Sequence, residues 1–121
     1  MLFRSAKTDT LTGLLNKSAA QELVQIMAAK YKKENGLSAL LILDLDLFKH
    51  VNDTYGHAEG DRVLAEIGRI IANNCRTQDV AGRIGGDEFM IFMRNINSQE
   101  NAVQMAERIQ KGVQSDRKSV V

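Results

Sequence analysis

One stretch, Ser38–Asp46 (SALLILDLD), constrains the fold of this chain more than any other. A near-continuous apolar run that closes on two acids reads as a central β-strand buried on both faces. A strand of that kind needs partners on either side and helices above and below it, and the rest of the pattern supplies them. Asn16 is placed to cap a helix running to about Glu34, with Ala19, Leu23, Ile26, Met27 and Tyr31 near helical spacing. Asn35 and Gly36, both tolerant of left-handed backbone, end it. After the strand come a short helix from Leu47 to about Asp53, a Gly56–Gly60 loop, and a longer helix carrying Val63, Leu64, Ile67, Ile70 and Ile71. Asp79–Ile84, Gly85-Gly86 and Asp87–Met93 read as strand, tight turn and strand. A last amphipathic helix spans about Ser98–Val113, with Val103, Ala106, Ile109 and Val113 inward. Strand, helix, strand, strand, helix is an α+β order: a ferredoxin-like βαββαβ unit without its final strand, an antiparallel sheet with helices packed on it.

With 121 residues, 44% of them hydrophobic, the chain suits one core and is too short for two. Met1–Thr8 reads as the end of an upstream helix or a linker. Sixteen basic against 15 acidic residues leave a net charge of +1. That balance gives no general attraction to nucleic acid or to an anionic membrane. Cys75 is the only cysteine, which excludes an internal disulfide and a zinc knuckle and predicts an inert, buried or half-buried thiol. No apolar run approaches membrane-spanning length, so no membrane contact is expected of this segment. The expected compartment is the cytoplasm, any membrane anchor of a larger parent lying outside the chain.

Phosphate chemistry, if present, must therefore be local, and the acids mark where. Asp44 and Asp46 stand at the end of the first strand, and Asp87 and Glu88 at the hairpin. If the strand and the hairpin are sheet neighbours, these carboxylates converge on one edge. Clustered carboxylates repel unless a cation sits between them. All-oxygen donors with no cysteine or paired histidine favour Mg²⁺ or Mn²⁺, and such a site suits phosphoryl or nucleotidyl transfer. Singly, each acid is equally well an ordinary solvated strand-end residue. Gly85 and Gly86 have two compatible readings: positive φ for a hairpin turn, and absent side chains that admit a nucleotide to the backbone.

Three stretches together resemble one family. Arg83–Phe89 (RIGGDEF) looks like the signature of GGDEF diguanylate cyclases. Asp44–Asp61 (DLDLFKHVNDTYGHAEGD) resembles the family's second motif, and Asp9–Lys17 (DTLTGLLNK) its entry motif, with Lys17 where arginine is usual. Residues 9–121 are thus expected to be a partial GGDEF domain, the nucleotidyl-cyclase palm. The resemblance implies Asp44 and Asp87 as ligands of Mg²⁺ or Mn²⁺, helped by the Leu45 carbonyl, with Glu88 supporting the metal or the attacking hydroxyl. It implies Asn52 and Asp61 as the guanine-recognition pair. A carboxylate can accept from both N1–H and the exocyclic amine of guanine, whereas adenine offers an acceptor at N1. Backbone N–H groups of Leu47, Phe48 and Lys49 would receive phosphates, with the Lys49 charge beside them. His57 is expected to order its loop and His50 to lie at the surface.

Arg76 and Asp79 match the family's RxxD product-inhibition motif. Arginine can donate to guanine O6 and N7, and aspartate can accept from N1–H and the amine. The implied activity is condensation of two GTP into cyclic di-GMP by a homodimer, each protomer holding one GTP. The alternative is a catalytically silent module that binds GTP or cyclic di-GMP. Family members continue into a further strand, a helix and a basic segment that this sequence does not contain. The edge of Ser38–Asp46 that such a strand would cover is expected to be unpaired.

Overall fold

The computed structural model describes residues 7–31, 36–45 and 48–120. In chain order the elements are α1 (Lys17–Tyr31), β1 (Leu37–Asp44), α2 (Phe48–Tyr55), α3 (His57–Asn74), β2 (Val80–Arg83), β3 (Glu88–Ile96) and α4 (Gln99–Val120). The expected α+β order is present. The strands form one antiparallel sheet in the order β1-β3-β2, so the hairpin's second strand is the central one. The end of α1 expected at Asn35-Gly36 cannot be followed, because residues 32–35 lie outside the described ones, as do Asp46 and Leu47.

Local chemistry sets the helix ends. The Asn16 side chain accepts from the Ala19 N–H at 2.9 Å, which caps α1 as its position predicts. Gly56, at φ 91°, is the N-cap of α3, a backbone state that costs glycine little. The helix therefore starts at His57, and Gly60 is a buried residue inside it rather than the end of a Gly56–Gly60 loop. Lys7 and Thr8, expected as the tail of an upstream segment, belong to the body: the Lys7 carbonyl accepts from the Asn16 N–H, and Thr8 forms a bridge with Leu15.

Register divides the sheet into two faces. Opposed pairs Ala39/Met93, Leu41/Ile91 and Leu43/Phe89 share one face. There Phe89, Ile91 and Met93 are buried with Val63, Leu64, Ile67, Ile70 and Ile71 of α3 and Met105 and Ile109 of α4. The pairs Leu40/Phe92, Ile42/Met90 and Asp44/Glu88 share the other. α1 covers that second face over β2, and the fit is close: a Cβ at Gly82 would lie 2.5 Å from the Ala20 Cβ.

Three expectations are corrected here. β1 stands at the edge of the sheet with one side unpaired, as expected for Ser38–Asp46, but it is not buried on both faces: Leu40 and Ile42 are each 55% exposed. Apolar sequence gives the strand its conformation, but α1 lies on β2, two strands away, and leaves this face of β1 uncovered. Ile26 of α1 is exposed, the helix instead burying Ala20 fully, with Leu23 and Met27 half-buried. Val103 of α4 is exposed as well. Met105, four residues before Ile109, takes the inward position.

Candidate functional site

The acids meet at one end of the sheet because of register. Asp44, the last residue of β1, stands directly opposite Glu88, the first of β3. One step further, the Leu45 N–H donates to the Asp87 carbonyl at 3.1 Å, holding the end of β1 against the hairpin turn. Asp44 and Glu88 are exposed and Asp87 is half-buried. Three carboxylates from segments more than forty residues apart in sequence thus share one rim.

The turn between β2 and β3 is built differently from the expectation for its glycines. Neither Gly85 nor Gly86 has positive φ; among the described glycines only Gly13 and Gly56 do. The turn closes through the Ile84 and Gly85 N–H groups, which donate to the Glu88 carbonyl at 2.9 and 3.3 Å. What these positions need is space. The Glu88 carboxylate lies over Gly85, where a Cβ would come within 2.6 Å of Oε1, and nothing lies within 4 Å of the place a Gly86 Cβ would occupy. The second of the two readings, room for a ligand at the backbone, accords with that opening.

The donor chemistry fits a hard divalent cation: carboxylates and carbonyls, exposed to solvent and next to each other. Among the described residues no three acidic, histidine or cysteine side chains converge into a cage. Mg²⁺ sites elsewhere take one or two carboxylates and complete the shell with water and phosphate oxygens.

Asn52 lies half-buried on α2, and its carbonyl accepts from the Gly56 N–H at 2.9 Å, closing that helix. Asp61 is exposed in the second turn of α3. The two helices pack together around the single residue Gly56, which puts both residues on one helical pair. Lys49 and His50 are exposed on α2, and His57, the first residue of α3, is exposed too. A cleft of about 450 Å³ opens beside the acidic rim between β1, α3 and α4, lined by Leu41, Leu43, Asp44, Val63, Ile67 and Ile109 among others. Neither Asn52 nor Asp61 lines it. Its walls are mostly apolar, and of the residues implied by the motif it takes in Asp44 and Leu45.

Arg76 and Asp79 are joined to each other. The guanidinium donates to Asp79 Oδ1 from Nη2 at 2.8 Å and from Nε at 3.1 Å, and the Arg76 N–H donates to Oδ2 at 2.8 Å. Nη2 also reaches the Arg94 carbonyl at 2.7 Å. The Asp79 side chain has no exposure at all. Any ligand read by both residues must therefore open this ion pair. Arg76 lines a polar cleft of about 180 Å³ together with Asn95, Asn97, Asn101 and Arg108. The sequence reading missed Arg108, which carries no local signal and comes to Arg76 only because α4 folds back along β3.

Cys75 precedes this pair and is half-buried, as expected. Burial, reinforced by the Asp79 charge and opposed by that of Arg76, pushes its thiol up to about 11. Alkylation by iodoacetamide at pH 8 should run roughly 100-fold slower than for an ordinary cysteine, because the nucleophile is the thiolate. The rate should climb as pH approaches 11, which a labelling series followed by mass spectrometry would show. Stability should fall over the same range. The unfolded thiol loses its proton near 9 while the folded one keeps it, so the native state binds more protons there.

A small antiparallel sheet with helices packed on it and an acidic rim at its central hairpin defines this as a palm-like α+β domain. The sequence matches the family model "Diguanylate cyclase, GGDEF domain" over residues 6–121. The chain belongs to the GGDEF diguanylate cyclase family. It is 40% identical to diguanylate cyclase A of Treponema denticola over 118 residues, covering 93% of this chain and 31% of that protein. It is 40% identical to diguanylate cyclase DgcN of Escherichia coli over 104 residues, 86% of this chain and 25% of the relative. The coiled coil and GGDEF domain of DgcB from Caulobacter crescentus, solved in complex with c-di-GMP, superposes with a TM-score of 0.85 at 30% identity. That match covers 89% of this chain and 56% of that one. The chain thus spans about a third or less of the length of these two curated relatives. No helix among the described residues is long and apolar enough to cross a membrane.

Proposed function

We propose that this chain is the GTP-condensing part of a diguanylate cyclase, which converts two GTP into cyclic di-GMP and two pyrophosphates. One observation carries the reading: an unbroken RIGGDEF turn whose register sets Glu88 opposite Asp44, with Asp87 hydrogen-bonded through its carbonyl to Leu45. Asp44 and Asp87, with the Leu45 carbonyl, would hold Mg²⁺ or Mn²⁺. Bound there, the cation would lower the pKa of the attacking 3′-hydroxyl and offset charge on the phosphates. Glu88, folded over Gly85, supports the cation or the hydroxyl, and the open space at Gly86 admits the nucleotide to the backbone. Asn52 and Asp61 read the guanine edge. The N–H groups at the start of α2, with Lys49, take the phosphates.

The 3′-oxygen of one GTP attacks the α-phosphorus of the other and pyrophosphate leaves. The same exchange in the opposite sense closes the ring. One protomer holds one GTP, so two protomers must face each other across a two-fold axis. Product returns to Arg76 and Asp79 as an inhibitor. The setting is the cytoplasm, where GTP is available, with any membrane anchor in another part of the parent.

The test is to incubate the longest parent protein carrying this chain with Mg²⁺ and either GTP or ATP, measuring pyrophosphate and cyclic dinucleotide. GTP should yield both products, and ATP on the order of 10²-fold less, since Asp61 rejects a base with an acceptor at N1. Equal use of ATP, or no cyclic product from GTP, would refute the assignment.

A further inference from the structure

Arg83 enters the sequence reading only as a letter of the signature run, yet its guanidinium bonds both glycine carbonyls of the turn and a carboxylate of the entry motif. Nη2 donates to the Gly86 carbonyl at 2.8 Å, and Nε lies 3.2 Å from both the Gly85 and the Gly86 carbonyl oxygens. Nη1 donates to Asp9, at 3.2 Å to Oδ1 and 3.4 Å to Oδ2. Both side chains of the pair are only 20% exposed. The far end of the clamp is itself fixed. Asp9 Oδ2 accepts from the Thr12 N–H at 2.9 Å and from its hydroxyl at 2.7 Å, and the Asp9 carbonyl accepts from the Gly13 N–H at 2.8 Å. Burial alone would raise the Asp9 carboxyl, but the Thr12 bonds and the Arg83 charge outweigh it and hold the group below the ordinary carboxylate range. The turn that carries Asp9 is then laced to β2. The Leu15 N–H donates to the Ala81 carbonyl at 3.2 Å, and the Arg83 N–H donates to the Leu15 carbonyl at 2.9 Å.

We infer that Arg83, anchored by Asp9, is a positioning residue: it fixes the Gly85–Asp87 turn and through it the presentation of the Asp87 and Glu88 carboxylates. The inference rests on reading those two acids as the working pair of a cyclase. Two consecutive glycines have the widest backbone freedom of any dipeptide and no side chains by which to be held. The Gly85 N–H is taken by the Glu88 carbonyl, which leaves the two glycine carbonyls as handles, and a planar guanidinium can grip both while a third N–H engages a carboxylate. A lysine ammonium is a point charge without that fork. A surface ion pair would contribute little, but this one joins the entry turn to a glycine turn 74 residues away, with acceptors at both ends.

The test compares wild type with Arg83→Lys, Arg83→Ala and Asp9→Asn by amide hydrogen exchange and by steady-state kinetics. The reporters are the Ile84 and Gly85 amides, which close the turn on the Glu88 carbonyl. Both should exchange about tenfold faster or more in the Arg83 variants and less markedly so in Asp9→Asn, while Phe89–Met93 stay as protected as in wild type. In the parent enzyme kcat should fall roughly 10- to 100-fold in Arg83→Lys with KM for GTP nearly unchanged, since orientation is lost and binding is not. If Arg83→Ala loosens β3 as well, the lysine variant decides. Unaltered exchange at Ile84 and Gly85 in Arg83→Lys overturns the inference whatever the kinetics. A wild-type parent that makes no cyclic dinucleotide overturns the proposed function instead, and leaves the exchange result to decide this point alone.

Discussion

Asp87→Ala should lower the rate of cyclic di-GMP synthesis by the parent enzyme on the order of 10³-fold while leaving the fold intact. The expectation comes from separating what the backbone of residue 87 does from what its side chain does. The backbone carbonyl accepts the Leu45 N–H and ties β1 to the hairpin, and alanine keeps that bond. The carboxylate is half-buried at the rim and appears in no hydrogen bond that closes the turn. Its removal should therefore shift stability by no more than about 0.5 kcal/mol, the range for substitutions that leave packing alone. Catalysis is another matter, because a carboxylate lost from a site that must offset phosphate charge takes away stabilisation needed in the transition state. Asp44→Ala, from the opposite strand, should cost a similar factor. The double variant should cost little more than either single one, as groups that work as a unit are not additive. Pyrophosphate release under saturating Mg²⁺ and GTP measures the rate, and thermal unfolding checks the fold. Turnover within tenfold of wild type in Asp87→Ala, with the protein folded, would remove Asp87 from the chemistry.

What the sequence could and could not disclose follows the range of the interactions. The Asn16 cap, the hairpin around Gly85-Gly86 and the pairing of Asp44 with the hairpin were legible, because each depends on a few neighbouring residues or on the register of two apolar strands. The burial of β1 was not. The unpaired edge was expected, but SALLILD has the same composition whether one of its faces is covered or both, and only the position of α1 over β2 leaves Leu40 and Ile42 open. Val103 and Met105, about 200° apart around α4, flank the stripe of Ala106, Ile109 and Val113 on opposite sides, so a modest error in the centre of that stripe admits one and excludes the other. At the site, motif spacing found every acid of the rim but not the bond that orients the turn. Nothing local connects Asp9 to Arg83. Nor could spacing show that the Asp79 carboxylate is completely covered by its own partner, since an RxxD reads the same with the pair open or closed.

That closed pair shapes the remaining large effect. Arg76→Ala should relieve inhibition by cyclic di-GMP about 10- to 100-fold, with the initial rate from GTP unchanged, but the variant should also be less stable. A bidentate arginine contact to guanine is worth about 1–3 kcal/mol, which sets the size of the relief. The initial rate is spared because Arg76, before β2, is remote from the rim formed at the ends of β1 and β3. Stability falls because Asp79 loses the three guanidinium bonds and keeps only the backbone N–H of residue 76, leaving a carboxylate with no solvent exposure underpaired. Breaking a wholly buried pair costs about 3–5 kcal/mol. Arg76 is 37% exposed, so water can reach the gap and the loss should be nearer 1–2 kcal/mol. Asp79→Asn provides the contrast: it should weaken product binding while removing the uncompensated charge, and so cost less stability than Arg76→Ala. Inhibition curves against cyclic di-GMP and urea unfolding of both variants separate the two roles. An Arg76→Ala enzyme inhibited at the same product concentration as wild type would mean that the pair only holds the loop between α3 and β2, and reads no guanine.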